Sequence, residues 1–173
     1  MFIQAVLSSE PSSHHHVLLD QTIEHLFNIA SIKLPHEDVV KKDLPQFNAT
    51  NILRSIFRDA NLNNDVMRYV ERGVVLTING FNSPSWSIRN ASTQLLSTLV
   101  PRMLGQRLSQ EETSMHNMST TDVFFHRYPL LQELFKQCLN EQVASDVKVL
   151  PHFIPVLIFL SKLRSSDGEK SKR

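Results

Sequence analysis

One cysteine, Cys138, is the only thiol in 173 residues. A lone thiol closes no internal disulfide, and no Cys/His group has zinc-site spacing, so a disulfide scaffold and a zinc-stapled fold are both excluded. A reducing compartment fits. Glycine is scarce, at four residues, and proline is unremarkable at eight. So few turn formers argue against a many-stranded sandwich or barrel and against a disordered linker. Long apolar runs are missing too: the longest, Val156 to Leu160, falls far short of the ~20 residues a membrane span needs. The start, MFIQAVLSSEPSS, lacks the basic region and long apolar stretch of a signal peptide. A soluble, cytoplasmic chain is expected, and the sequons at Asn48, Asn90 and Asn117 then read as chance.

The usual signatures of chemistry are also missing. Neither GxGxxG nor GxxxxGK[ST] occurs, so no Gly-rich turn lets backbone approach a nucleotide or methyl donor. There is no G-x-S-x-G elbow and no H-E-x-x-H helix. Cys138 has no histidine near it in sequence and reads as a structural cysteine. The run His14, His15, His16 lies in a polar stretch and reads as a solvated tract; His25 and His126 read as surface or satisfied helix residues. Adjacent carboxylates, Glu37-Asp38 and Glu111-Glu112, fall in loops without fixed geometry for acid–base work. No catalytic residue, metal or cofactor is expected.

What the chain does have is hydrophobic residue, 41% of the total, enough to bury a core of its own. It is arranged at helical period. Leu18, Leu19, Thr22, Ile23, Leu26, Phe27 and Ala30 predict a helix over 17–33, stopped before Pro35. Ala49, Ile52, Leu53, Ile56, Phe57 and Ala60 predict a second from Gln46. Val66 to Gly80 reads as a third, although Val74 to Ile78 also has strand propensity. Ser83 as N-cap with Pro84 at the first helical position predicts a fourth, burying Ile88, Ala91, Ser92, Leu95, Leu96, Leu99 and Met103, with Pro101 bending or fraying its end. Residues 105–119 read as a long loop. Helices over 121–127, 129–142 and 150–163 follow, the last apolar nearly all round and so in need of neighbours on several sides. The prediction is an all-α fold of about six to seven helices, stacked as HEAT- or armadillo-like hairpins, with a compact bundle as the alternative. The predicted organisation is one helical-repeat segment over 1–164 and a disordered basic tail over 165–173. The 46–80 hairpin is a candidate repeat, yet no period of ~40 residues is visible in the side chains.

Net charge is only +1, but no acid occurs between Glu71 and Glu111, a span that holds Arg72, Arg89, Arg102 and Arg107. Such a stretch can meet phosphate, or it is a fluctuation on a solvated face. Two polar strips stand beside the apolar stripes. One is Arg54, Arg58 and Asp59 on the second helix; the other is Trp86, Arg89, Asn90 and Thr93 on the fourth. They read either as an inter-helix polar ladder or as a contact surface for RNA or a protein, with Arg102 a further candidate.

Asn51 to Asp59 (NILRSIFRD) and Gly80 to Thr93 (GFNSPSWSIRNAST) closely resemble the central signature of the thyroid adenoma-associated protein family, approximately NILRxLFRD followed by GFxSPxWxxRNxST. The resemblance extends through Met118 to Pro129 and His152 to Leu160, and Phe2 to Pro11 looks like the family's approach to this region. Its core is 46–163. It implies a piece of a large helical-repeat protein that is the non-catalytic partner of an FtsJ-type methyltransferase, which methylates a ribose 2′-OH in the tRNA anticodon loop. It also implies that the partner, not this chain, binds S-adenosylmethionine. Two departures stand out. Where relatives have a basic loop of the form FGVKRxKDEHSKKN, Leu104 to Asn117 keeps only Arg107, and the RRSAG-type motif upstream of the FIQA-like segment is missing. A slice of a repeat array is expected to expose apolar faces and self-associate. The competing reading is a general helical-repeat protein-interaction module without an RNA role, or a truncated product that retains the fold without the tRNA role.

Overall fold

The computed structural model describes residues 2–10, 17–34, 44–104, 120–145 and 149–164. The His14 to His16 run, both carboxylate pairs, Arg107 with the 105–119 loop, and the 165–173 tail lie outside them. Among the described residues the fold is all-helical: α1 (Phe2–Ser8), α2 (Val17–Ala30), α3 (Pro45–Arg58), a 3₁₀ turn (Met67–Tyr69), α4 (Val70–Phe81), α5 (Trp86–Leu104), α6 (Thr121–Arg127), α7 (Pro129–Ala144) and α8 (Phe153–Leu160). The eight α-helices among the described residues exceed the expected six or seven because α1, anchored by the buried Leu7, is not evident in the sequence pattern. The chain forms two compact units, Met1–Leu99 and Val100–Arg173.

In the first unit, α2 opens under the Glu10 carboxylate, which accepts the backbone N–H groups of Leu18 (2.9 Å) and Leu19 (3.2 Å). Those are two of the four N–H groups that a helix start leaves unpaired. Leu19, Ile23, Leu26 and Phe27 bury against α3, which starts with Pro45 in its first turn. Gln46 Nε2 donates to the Ile32 carbonyl at 3.2 Å, tying the end of α2 to the start of α3.

The third helix starts later than its sequence pattern suggests. Asp59 Oδ1 accepts the Asn61 N–H at 2.9 Å, residues 61–66 turn, and regular α-helix begins only at Val70, although Val66 is already fully buried. The strand alternative for 74–78 is not realised. Val74, Thr77 and Ile78 are buried on one helical face, and that burial outweighs a helix-propensity deficit of under about 0.7 kcal/mol per residue. α5 begins at Trp86, not at Pro84. Ser83 Oγ accepts the Ser85 N–H at 3.3 Å, and Arg89 N–H to Ser85 carbonyl (3.2 Å) is the first helical bond. The predicted stripe of α5, Ile88 through Met103, is buried at all seven positions. α5 runs on through Pro101 to Leu104.

Within the first unit, α2 runs parallel to α4 and α3 to α5. Asp20 meets Arg68 and Tyr69, and Glu24 meets Arg72, so α2 and the start of α4 advance together at a separation of 48 residues. Arg54 meets Gln94, 40 residues on, and Phe57 and Leu99 converge on Gly73, so α3 and α5 do the same. The first unit therefore has an α2/α4 layer and an α3/α5 layer. Its spacings, 48 and 40 residues, lie close to the about 40–47 of HEAT and armadillo repeats.

In the second unit, Phe124, Phe125, Tyr128, Phe135 and Phe159 form an aromatic cluster with ring centroids 5.2–5.9 Å apart. Thr121 N–H donates to the Arg164 carbonyl at 3.0 Å in a parallel bridge of Thr120 with Arg164, tying the start of α6 to the chain just beyond α8. α8 buries Pro155, Val156 and Phe159, while Ile154, Leu157 and Ile158 stay exposed, so one side of this all-apolar helix is covered.

Candidate functional interface

The residues of the α3 and α5 polar strips divide by role. Arg54 Nη1 donates to Gln94 Oε1 at 2.5 Å, and its buried Nε has no hydrogen-bond partner among the described residues. This bond sets the Arg54–Arg58 row of α3 beside the Trp86–Asn90–Gln94 row of α5, because residues four apart share a helix face. Arg58 is exposed, and none of the ion pairs between described residues includes it. Asp59 closes the turn after α3. Trp86, 69% exposed, is a large aromatic surface in water at the first position of α5. Asn90 is half-buried one turn on.

Arg89 faces its own turn. Nη1 donates to the carbonyls of Ser83 (2.7 Å) and Pro84 (2.8 Å), fixing the chain that presents Trp86. Thr93 Oγ1 donates to the Arg89 carbonyl at 3.0 Å. Arg102 belongs to the second unit and is not placed with the others.

The two layers differ in charge. The α2/α4 layer pairs opposite signs: Arg68 with Asp20, and Arg72 with Glu24 at 2.6 Å, with the Arg72 guanidinium 4.5 Å over the Phe27 ring. Tyr69 donates its hydroxyl to Asp20 at 2.7 Å, and burial, then that bond to a carboxylate, pushes its pKa up to about 12. The α3/α5 layer has no acid within either helix, and its charged residues are all arginines. The sequence reading missed Gln94 and the α2–α4 pairs. The signal for the latter was there, since Asp20/Glu24 and Arg68/Arg72 are each four apart. Gly80 was read only as a helix end. A Cβ there would meet Ser92 Oγ at 2.0 Å, so it marks the close approach of α4 to α5.

Chemistry-bearing groups are sparse. No group of three His, Cys, Asp or Glu residues able to hold a metal occurs among the described residues. Cys138 is buried, and burial, then Glu141, raises its thiol pKa, which keeps it protonated and unreactive. His25 and His126 are exposed; among the described histidines the buried one is His152, its Nε2 3.0 Å from Glu141 Oε2. No helix among the described residues is long and apolar enough to cross a membrane.

Parallel helices at this spacing define a protein of the helical-repeat class. The chain belongs to the THADA/TRM732 family. The family model described as THADA/TRM732, DUF2428 matches residues 1–87, and one described as Trm732, C-terminal TPR repeats matches residues 89–173. The chain is 39% identical to the Homo sapiens protein named tRNA (32-2'-O)-methyltransferase regulator THADA and 37% identical to that of Gallus gallus, each over 98% of its length. It is 31% identical, over 74% of its length, to the Schizosaccharomyces pombe protein named tRNA (32-2'-O)-methyltransferase regulator trm732. It spans 9% of the length of each of these relatives. No solved structure matches.

Proposed function

We propose that this chain is a non-catalytic scaffold segment of a cytoplasmic regulator of tRNA 2′-O-methylation. It supports an FtsJ-type methyltransferase partner that acts on the anticodon loop and itself binds the methyl donor. The observation that carries this reading is identity of 37–39% across 98% of the chain to relatives named for that regulation. Arg54 and Arg89 hold helices and turns in place, Cys138 is inert, and the polar surface is spread along helices as a contact face is.

The test is a chimera in Schizosaccharomyces pombe in which this chain replaces the matching segment of trm732. Ribose methylation at tRNA position 32 is expected to persist in the chimera and to vanish when the segment is deleted. Methylation unaffected by the deletion rejects the proposal. So does a stable, full-length chimera that fails to support methylation.

A further inference from the structure

We propose that the α3/α5 face of the first unit binds RNA, with Arg58 on backbone phosphate and Trp86 stacked on an unpaired base. The inference rests on the role in tRNA modification proposed above and names the surface and ligand chemistry that serve it.

Four observations carry it. First, α3 and the first-unit part of α5 contain arginines and no acid, whereas the arginines of the α2/α4 layer meet carboxylates of the same layer. An arginine left without a carboxylate keeps its charge and its fork of donors for an outside anion. Second, Arg58 is exposed, and none of the ion pairs between described residues includes it. Third, Trp86 is 69% exposed on α5, and an exposed indole offers any base a stacking platform. Fourth, the Arg54–Gln94 bond holds the two rows in register, so Arg58 and Trp86 lie at opposite ends of one polar strip. Twelve residue rises separate them along the helices, roughly 18 Å at about 1.5 Å each.

That length suits an extended single strand: one end grips the backbone by charge and the other holds a base by its face. Neither contact reads sequence, which fits a platform that orients RNA for an enzyme bound elsewhere. Arg89 is a positioning residue here, because it fixes the Ser83–Pro84 turn from which Trp86 projects.

The test is fluorescence anisotropy of the 173-residue chain with two labelled RNAs, a hairpin with a single-stranded loop and a blunt duplex of equal charge. The wild type is expected to prefer the hairpin. Arg58→Gln should weaken both RNAs several-fold and flatten the plot of log affinity against log salt by about 0.7–0.9, while Arg58→Lys keeps the slope. Trp86→Ala should cost the hairpin roughly tenfold and leave the duplex unchanged. Arg72→Gln removes one charge from the ion-paired layer and should change neither. Arg58 and Trp86 are both exposed, so thermal melts of their variants should superimpose on the wild type.

No RNA binding by the wild type overturns the proposal, as does equal weakening by Arg58→Gln and Arg72→Gln. Loss of methyltransferase capture by Trp86→Ala with RNA affinity intact overturns it in favour of a protein on this face. In the yeast chimera, normal methylation with Arg58→Gln and Trp86→Ala combined rejects the RNA surface and leaves the scaffold role standing.

Discussion

At the scale of single residues, the strongest constraints lie where a side chain holds backbone. Arg89 satisfies two carbonyls with one charged nitrogen. Charge-assisted bonds of this kind contribute about 1.5–3 kcal/mol, less when partly exposed. Arg89→Ala is expected to lower stability by about 1–2 kcal/mol in urea unfolding, with no change in slope. Gly80 is constrained by space. An added methyl meets Ser92 Oγ at 2.0 Å and Ser92 Cβ at 3.0 Å. Overpacking costs about 1–3 kcal/mol, against a gain of up to ~1 kcal/mol in helix propensity. Gly80→Ala should therefore destabilise, and less so in a Ser92→Ala background; additive effects in the double-mutant cycle would refute the contact. Tyr69 gives a pH signature. Its folded pKa of about 12 lies above the ordinary 10.0, so the neutral phenol is the form the fold favours. That contribution is full below pH 10 and is lost as pH rises toward 12. Tyr69→Phe should remove this part of the alkaline fall in stability.

At the scale of elements, α8 offers the sharpest contrast. Phe159 is fully buried in the aromatic cluster, whereas Ile154 is 46% exposed on the same short helix. Phe159→Ala should cost about 3–5 kcal/mol. Ile154→Gln should stay within about 0.5 kcal/mol, because an exposed position loses little transfer energy. Helix positions were legible in the sequence because burial imposes its period directly, as the seven-residue stripe of α5 shows. Helix starts were less so. Ser83-Pro84 looks like a cap and first turn, and Ser83 Oγ does accept the Ser85 N–H as a cap would, but regular α-helix begins two residues further on, at Trp86. α1 was missed because a seven-residue helix depends on the burial of Leu7, which its local pattern does not advertise. The 48- and 40-residue repeat spacing was invisible because each layer uses different chemistry at equivalent places: ion pairs between α2 and α4, an Arg–Gln bond between α3 and α5. The candidate interface was half legible. Its arginines and Trp86 stood out, but their division into structural and free groups needed the positions of Gln94 and the Ser83 and Pro84 carbonyls.

At the scale of the molecule, a net charge of +1 conceals an unequal distribution between layers. Salt should therefore act on two properties separately. Doubling Arg68→Gln with Arg72→Gln removes both α2–α4 ion pairs, whose side chains are 34–49% exposed, and should cost about 1–2 kcal/mol at low salt and less at high salt. RNA affinity should not follow it. The same separation bears on how a mutational survey of this family is scored. Arg89 is an arginine beside the exposed indole and would rank among recognition residues in any screen that reads activity alone. Yet its guanidinium is spent on the Ser83–Pro84 turn. Its loss would mimic a defect in ligand contact by letting Trp86 wander, and cooling or a stabilising osmolyte should restore function to Arg89→Ala but not to Trp86→Ala.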